Sequence, residues 1–190
     1  MPRIPLPTPE TLTPEQKAVH DRVVAGPRGQ LRGPLRAALY NPELADRWQA
    51  FGELLRYRTT LTPRLSELAI LVTAQACQSP FEWYAHRPEG EKAGLEAPLL
   101  DALQRGEEPA GMTEDDALVW RFAHELNRLR SVTDATYAAA LARFGARAVV
   151  ELTALVGYYT MVAMTLNAHE IPLPDGVAPV FPLPQHAGAR

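Results

Sequence analysis

Apolar residues recur at helical spacing along most of the chain, and no stretch shows the period-two alternation of β-branched residues that a sheet requires. The pattern predicts an all-α protein. Thr13, Pro14 and Glu15 combine an N-cap, a proline at the first helical position and an acidic first turn, so a helix runs to about Ala25, before the Gly26-Pro27 stop. A short helix over Pro34 to Tyr40 follows a Gly/Pro-rich loop. Asn41-Pro42-Glu43 starts the next, with Leu44, Trp48, Phe51, Leu54 and Leu55 forming one apolar face. Thr62-Pro63 repeats the cap-then-proline signature ahead of a run through Leu65, Leu68, Leu71, Val72 and Ala76 that is apolar nearly all round and therefore buried.

The segment from Pro80 to Lys92 carries Phe81, Glu82, Trp83, Tyr84 and His86, with Pro88 predicting a kink or a restart. A short helix over Pro98 to Gln104 comes next, and Thr113 with three acidic residues after it caps a helix bearing Leu118, Val119, Phe122, Leu126 and Leu129. Thr133-Asp134 begins a helix to Phe144-Gly145, and the apolar run from Ala146 to Asn167 makes the last. Proline and threonine dominate residues 1–13, an extended arm expected to wrap a surface. One all-helical domain spans 14–176, and a proline-rich tail occupies 177–190.

Composition narrows the function. A formal net charge of −3 with scattered basic residues gives no electrostatic footprint for a phosphate backbone, so nucleic acid is not an expected partner. The polar, proline-rich start is unlike a secretory signal, and no stretch of about 20 apolar residues stands out as a membrane span, so a soluble, cytoplasmic protein is expected. Cys77 is the only cysteine; a disulfide scaffold and a zinc site of Cys/His spacing are both ruled out, and Cys77 reads as a small core residue.

Against this background Glu67, inside the apolar run LSELAILV, is the first anomaly, because a buried polar group costs about 1–3 kcal/mol unless it finds a partner. Glu82 and His86 stand four apart, which puts a carboxylate and an imidazole on one helical face. Without further context they read equally as a surface pair. His20, His124, His169 and His186 have no such partner pattern and read as structural or solvated.

The wording SELAIL, then FEWYAH, then a glycine eight positions beyond His86 is similar to the signature of the carboxymuconolactone decarboxylase family. The likeness runs from about Gly33 to Gly176, through GPLRAALYNPELADRW and the closing VVELTALVGYYTMVAMTLNAHEIPLPDG. It implies an AhpD-like helical bundle, a homo-oligomer (trimer or hexamer), and a site built from Glu67, Glu82 and His86. The related alkylhydroperoxidase branch has a CxxC pair whose positions fall here on Ser79 and Glu82, so a dithiol peroxidase mechanism lacks both its sulfurs.

What the resemblance leaves is a cofactor-free, metal-free decarboxylase or lactone-processing enzyme acting on a small carboxylated unsaturated ring compound. His86 would donate to the lactone oxygen or protonate the dienolate, Glu82 would orient it and Glu67 would anchor the array. Arg56 or Arg58 could receive the substrate carboxylate, with nothing in the spacing to choose between them. Trp83 and Tyr84 are candidate substrate contacts, although aromatic side chains in such positions more often serve packing. The competing reading is a non-catalytic helical binding or assembly protein of the same fold.

Overall fold

A computed structural model describes residues 1–182, and the eight-residue end of the tail, with His186, lies outside the described residues. Eight α-helices carry the chain: α1 (Pro14–Ala25), α2 (Pro34–Ala38), α3 (Pro42–Tyr57), α4 (Pro63–Ala76), α5 (Pro80–Lys92), α6 (Ala97–Arg105), α7 (Glu114–Leu129) and α8 (Asp134–Ala168). Among the described residues there is no strand, and the architecture is all-α.

The helix starts follow the local rules. At Thr13, Asn41, Thr62 and Thr113 the cap side chain accepts the backbone N–H of the third helical residue, and at the first three proline follows the cap directly. Helix α4 is the hub. Ten consecutive residues, Leu65 to Ala74, are buried, because α5, α7 and α8 pack round it. Before α1, the arm makes a 3-10 turn at Pro9–Thr11 and lies on the helices: Arg36 donates to the carbonyls of Leu6 and Pro7, Tyr40 to that of Pro5, and the Arg3 amide to that of His169.

Three sequence expectations need correction. Pro88 does not restart α5, which runs as one helix from Pro80 to Lys92 with the proline inside it. Leu44, Phe51 and Leu54 are each more than two-fifths exposed, so the apolar positions of α3 split: Trp48 and Leu55 enter the core and the others form an outer patch. The last two predicted helices are present and abut end to end within α8, with the expected break at Gly145, whose φ of 79° and ψ of 165° belong to a region that only glycine reaches cheaply. Joined, they are long and apolar enough to cross a membrane by length and composition alone, contrary to expectation. Half of the most apolar window of α8 is nevertheless buried against the other helices, as befits a core helix.

Candidate active site

A tight turn at Cys77, Gln78 and Ser79, with Gln78 at a positive φ of 48°, packs α5 against α4 and brings His86 to Glu67. The imidazole Nδ1 lies 2.7 Å from Glu67 Oε2, and Nε2 lies 3.5 Å from Glu82 Oε2. All three side chains are buried, at 7%, 4% and 5% exposure for Glu67, Glu82 and His86. Arg56 from α3 approaches the other oxygen of Glu67 at 3.8 Å, and the ring of Tyr159 from α8 stands edge-on to the imidazole at 5.0 Å between centroids.

The roles expected of the two carboxylates change places. Glu67 holds and orients the ring through a short charge-assisted contact, whereas Glu82 stands at the far nitrogen, outside good hydrogen-bond distance. Burial raises the Glu82 carboxyl above its ordinary value, with His86 and Arg56 pulling the other way. Its Oε2 atom is buried and accepts no hydrogen bond.

Local sequence would have used Glu82 differently. Ser79-Pro80-Phe81-Glu82 fits a capping box, in which the carboxylate turns back to the cap amide. In the fold the Ser79 side chain makes no cap bond, its Oγ is an orphan, and its amide donates to Ala74 instead, which leaves Glu82 to face His86. Such a broken local rule marks sites where function overrides propensity.

Glu82 and His86 form one wall of a cavity of about 90 Å³ that also admits Arg56, Glu89, Tyr158 and Tyr159, with Arg28 and Arg32 from the loop between α1 and α2. A larger hollow, about 400 Å³, opens where Met1, Pro80 and Leu166 to Pro179 meet, but its walls are mainly apolar and hold neither Glu82 nor His86. Burial keeps the Tyr159 phenol well above its usual pKa, so it is a neutral donor. Among the described residues no group of three or more His, Cys, Asp and Glu side chains could hold a metal ion.

Residues 42–125, which contain Arg56, Glu67, Glu82 and His86, match the family model described as the Carboxymuconolactone decarboxylase family. This segment is similar to that family. The fold agrees. A peroxidase-related protein from Silicibacter sp. TM1040 shares 16% identity at a TM-score of 0.74, covering 90% of this chain and 91% of that one. The alkylhydroperoxidase AhpD core structure of a peroxidase-related protein from Ralstonia eutropha JMP134 shares 16% identity at 0.76, covering 92% and 93%. At that identity both show an AhpD-like fold and no more. No curated protein sequence matches the chain.

Within the matched segment, three of the expected substrate contacts lie elsewhere. Arg58 caps the end of α3, is exposed, and pairs with Glu53 at 3.4 Å, so Arg56 alone of the two reaches the site. Trp83 is 1% exposed and stands edge-on to Phe181 as a core residue. Tyr84 points outward and meets the edge of Phe81. One residue step turns a helix by about 100°, so when Glu82 and His86 face the cavity, positions 83 and 84 cannot.

Sequence reasoning missed Arg28, Arg32, Tyr158 and Tyr159, which lie outside the family segment. It also missed Gly52, where a Cβ would collide with the Tyr158 hydroxyl and the Arg28 guanidinium. A glycine inside a helix was the one available signal. Cys77 is half-buried, burial raises its thiol above the ordinary value, and it does not line the cavity, all of which fit a packing residue.

Proposed function

We propose that the protein is a cofactor-free decarboxylase, or a related proton-transfer enzyme, acting on a small carboxylated unsaturated lactone. The observation that carries this reading is Glu82 Oε2, a buried oxygen without a hydrogen bond, set beside His86 Nε2 on a cavity wall. The proton sits on the Glu82 carboxyl that burial has raised, beside the imidazole that Glu67 steadies. As the C–C bond to the carboxylate breaks, CO2 leaves and its electron pair enters a dienolate whose charge reaches the lactone carbonyl. That proton then forms the new C–H bond, and water returns a proton to the carboxylate. Tyr159 supplies a neutral donor to the enolate oxygen, and Arg56 a nearby positive charge.

The test is incubation with a γ-carboxylated unsaturated lactone, followed by ring absorbance and by CO2 release. Turnover falls as pH rises through the titration of Glu82, whose carboxyl burial has raised, because deprotonation empties the donor, and Glu82→Gln lowers kcat by about 100-fold or more. A ligand that binds and is never consumed would favour the non-catalytic reading, and a fully active Glu82→Gln would take Glu82 out of the chemistry.

We also propose self-association. Leu44, Phe51 and Leu54 on α3 and Val150, Met161 and Met164 on α8 are large apolar side chains left exposed, which supports burial against a second copy. Phe51 meets the edge of cavity-lining Tyr158 at 5.6 Å, so a covered α3 would also shelter the site. Sedimentation analysis should find an oligomer; a monomer at all concentrations would overturn this.

A further inference from the structure

The Glu82–His86 cavity carries more positive charge than its acidic walls consume. Glu67 is met by His86 and by Arg56, Glu82 leans toward its protonated form, and Glu89 is paired with Lys92 at 2.8 Å. Arg28 has no such partner: among the described residues its one hydrogen bond is a long one, 3.5 Å, to the Tyr158 hydroxyl, and no carboxylate stands within ion-pair distance. Its Nε is buried and makes no hydrogen bond, and the same holds for Arg56 Nε on the wall of the same cavity. An orphaned, buried guanidinium N–H costs free energy that a bound anion would recover.

Nor is Arg28 there by accident of a loose loop. The Gly26 amide closes α1 on the carbonyls of Arg22 and Val23, and the Gly29 amide returns to the carbonyl of Gly26, which fixes the turn that carries Arg28 inward. Gly52 then makes room, since any Cβ on that turn of α3 would occupy the place of the guanidinium and of the Tyr158 hydroxyl. Three distant parts of the chain thus converge to hold one unpaired cation at the cavity.

We infer that Arg28 is the anion-binding residue of this cavity and selects ligands that carry a carboxylate. A carboxylate suits the planar fork of a guanidinium, which offers two parallel N–H donors. The size of the cavity, about 90 Å³, restricts the rest of the ligand to a compact ring or chain. The assignment shares its cavity with the proposed decarboxylation but needs no turnover, so the two can fail separately.

The test uses furoate, a flat five-membered-ring carboxylate, and furamide, its uncharged counterpart, titrated calorimetrically into the full-length protein and into Arg28→Met and Arg28→Lys. The native protein prefers furoate. Arg28→Met raises the Kd for furoate by about tenfold or more and leaves that for furamide unchanged, while Arg28→Lys keeps part of the preference by charge alone. A native protein that binds furoate no better than furamide, or an Arg28→Met protein with the native preference intact, overturns the assignment. Should Arg28→Met not fold, Arg28→Lys decides: an undiminished preference counts against the fork. Furoate binding that depends on Arg28, in a protein that never consumes the lactone, would refute the decarboxylase reading and leave this one standing.

Discussion

Replacement of His86 by glutamine lowers kcat for a carboxylated unsaturated lactone by about 10²–10⁴-fold, the range for loss of a positioned acid–base group. Alanine costs the same activity and something more. The glutamine amide can still donate to Glu67, whereas alanine leaves that carboxylate, 7% exposed, with only Arg56 at 3.8 Å. An under-partnered buried acceptor costs about 1–3 kcal/mol, so alanine shifts the denaturant midpoint and glutamine does not. Helical circular dichroism stays native in both. Glu67→Gln should fall between native and His86→Gln in kcat, since it weakens the hold on the ring without removing the proton carrier. Native turnover in His86→Gln would eliminate the imidazole from the reaction.

How much of this was legible in the sequence follows from how local each cause is. Thr13-Pro14, Asn41-Pro42 and Thr62-Pro63 start helices by contacts three residues long, so the text alone placed them. Glu67 stood out because the apolar or small residues on both sides of it leave a carboxylate nowhere to go but to a partner. The partner was within reach of the same reasoning, since His86 lies just past one short turn. The rotation of α5 was not: Trp83 enters the core, where Phe181 from the tail packs edge-on to it, a contact between segments far apart in the chain. Arg28 and Tyr158 meet across 130 positions, with Gly52 as the gap between them, and no pattern within one helix encodes that meeting. Gly145 shows the opposite case, for a glycine between two helical runs did mark the break even though the two halves abut.

Asp116→Asn is the substitution expected to cost most stability, about 3 kcal/mol and roughly 6–12 °C in Tm for a chain of this size. Asp116 is wholly buried at the start of α7. Its carboxylate accepts from Arg64 Nε at 3.1 Å and Nη2 at 2.9 Å, and from the Thr113 amide at 3.1 Å, while the same Arg64 reaches the Gly94 carbonyl and Glu96. One ion pair therefore ties α4, the helix that also carries Glu67, to α7 and to the α5–α6 turn. The cost falls at the low end of the range for a broken buried pair, because the Arg64 side chain is 23% exposed and keeps Glu96. Burial alone would raise the Asp116 carboxyl, but the hydrogen bonds from Arg64 and Thr113 outweigh it and hold the group below the ordinary aspartate value. A lowered folded pKa means stabilisation that is present above the unfolded value, about 3.9, and is lost as pH falls through the folded one. Melting curves between neutral and strongly acidic pH should accordingly show a smaller acid loss in Asp116→Asn than in the native protein. Equal Tm values at neutral pH, with an unmoved acid limb, would mean that α7 is held by its apolar face alone.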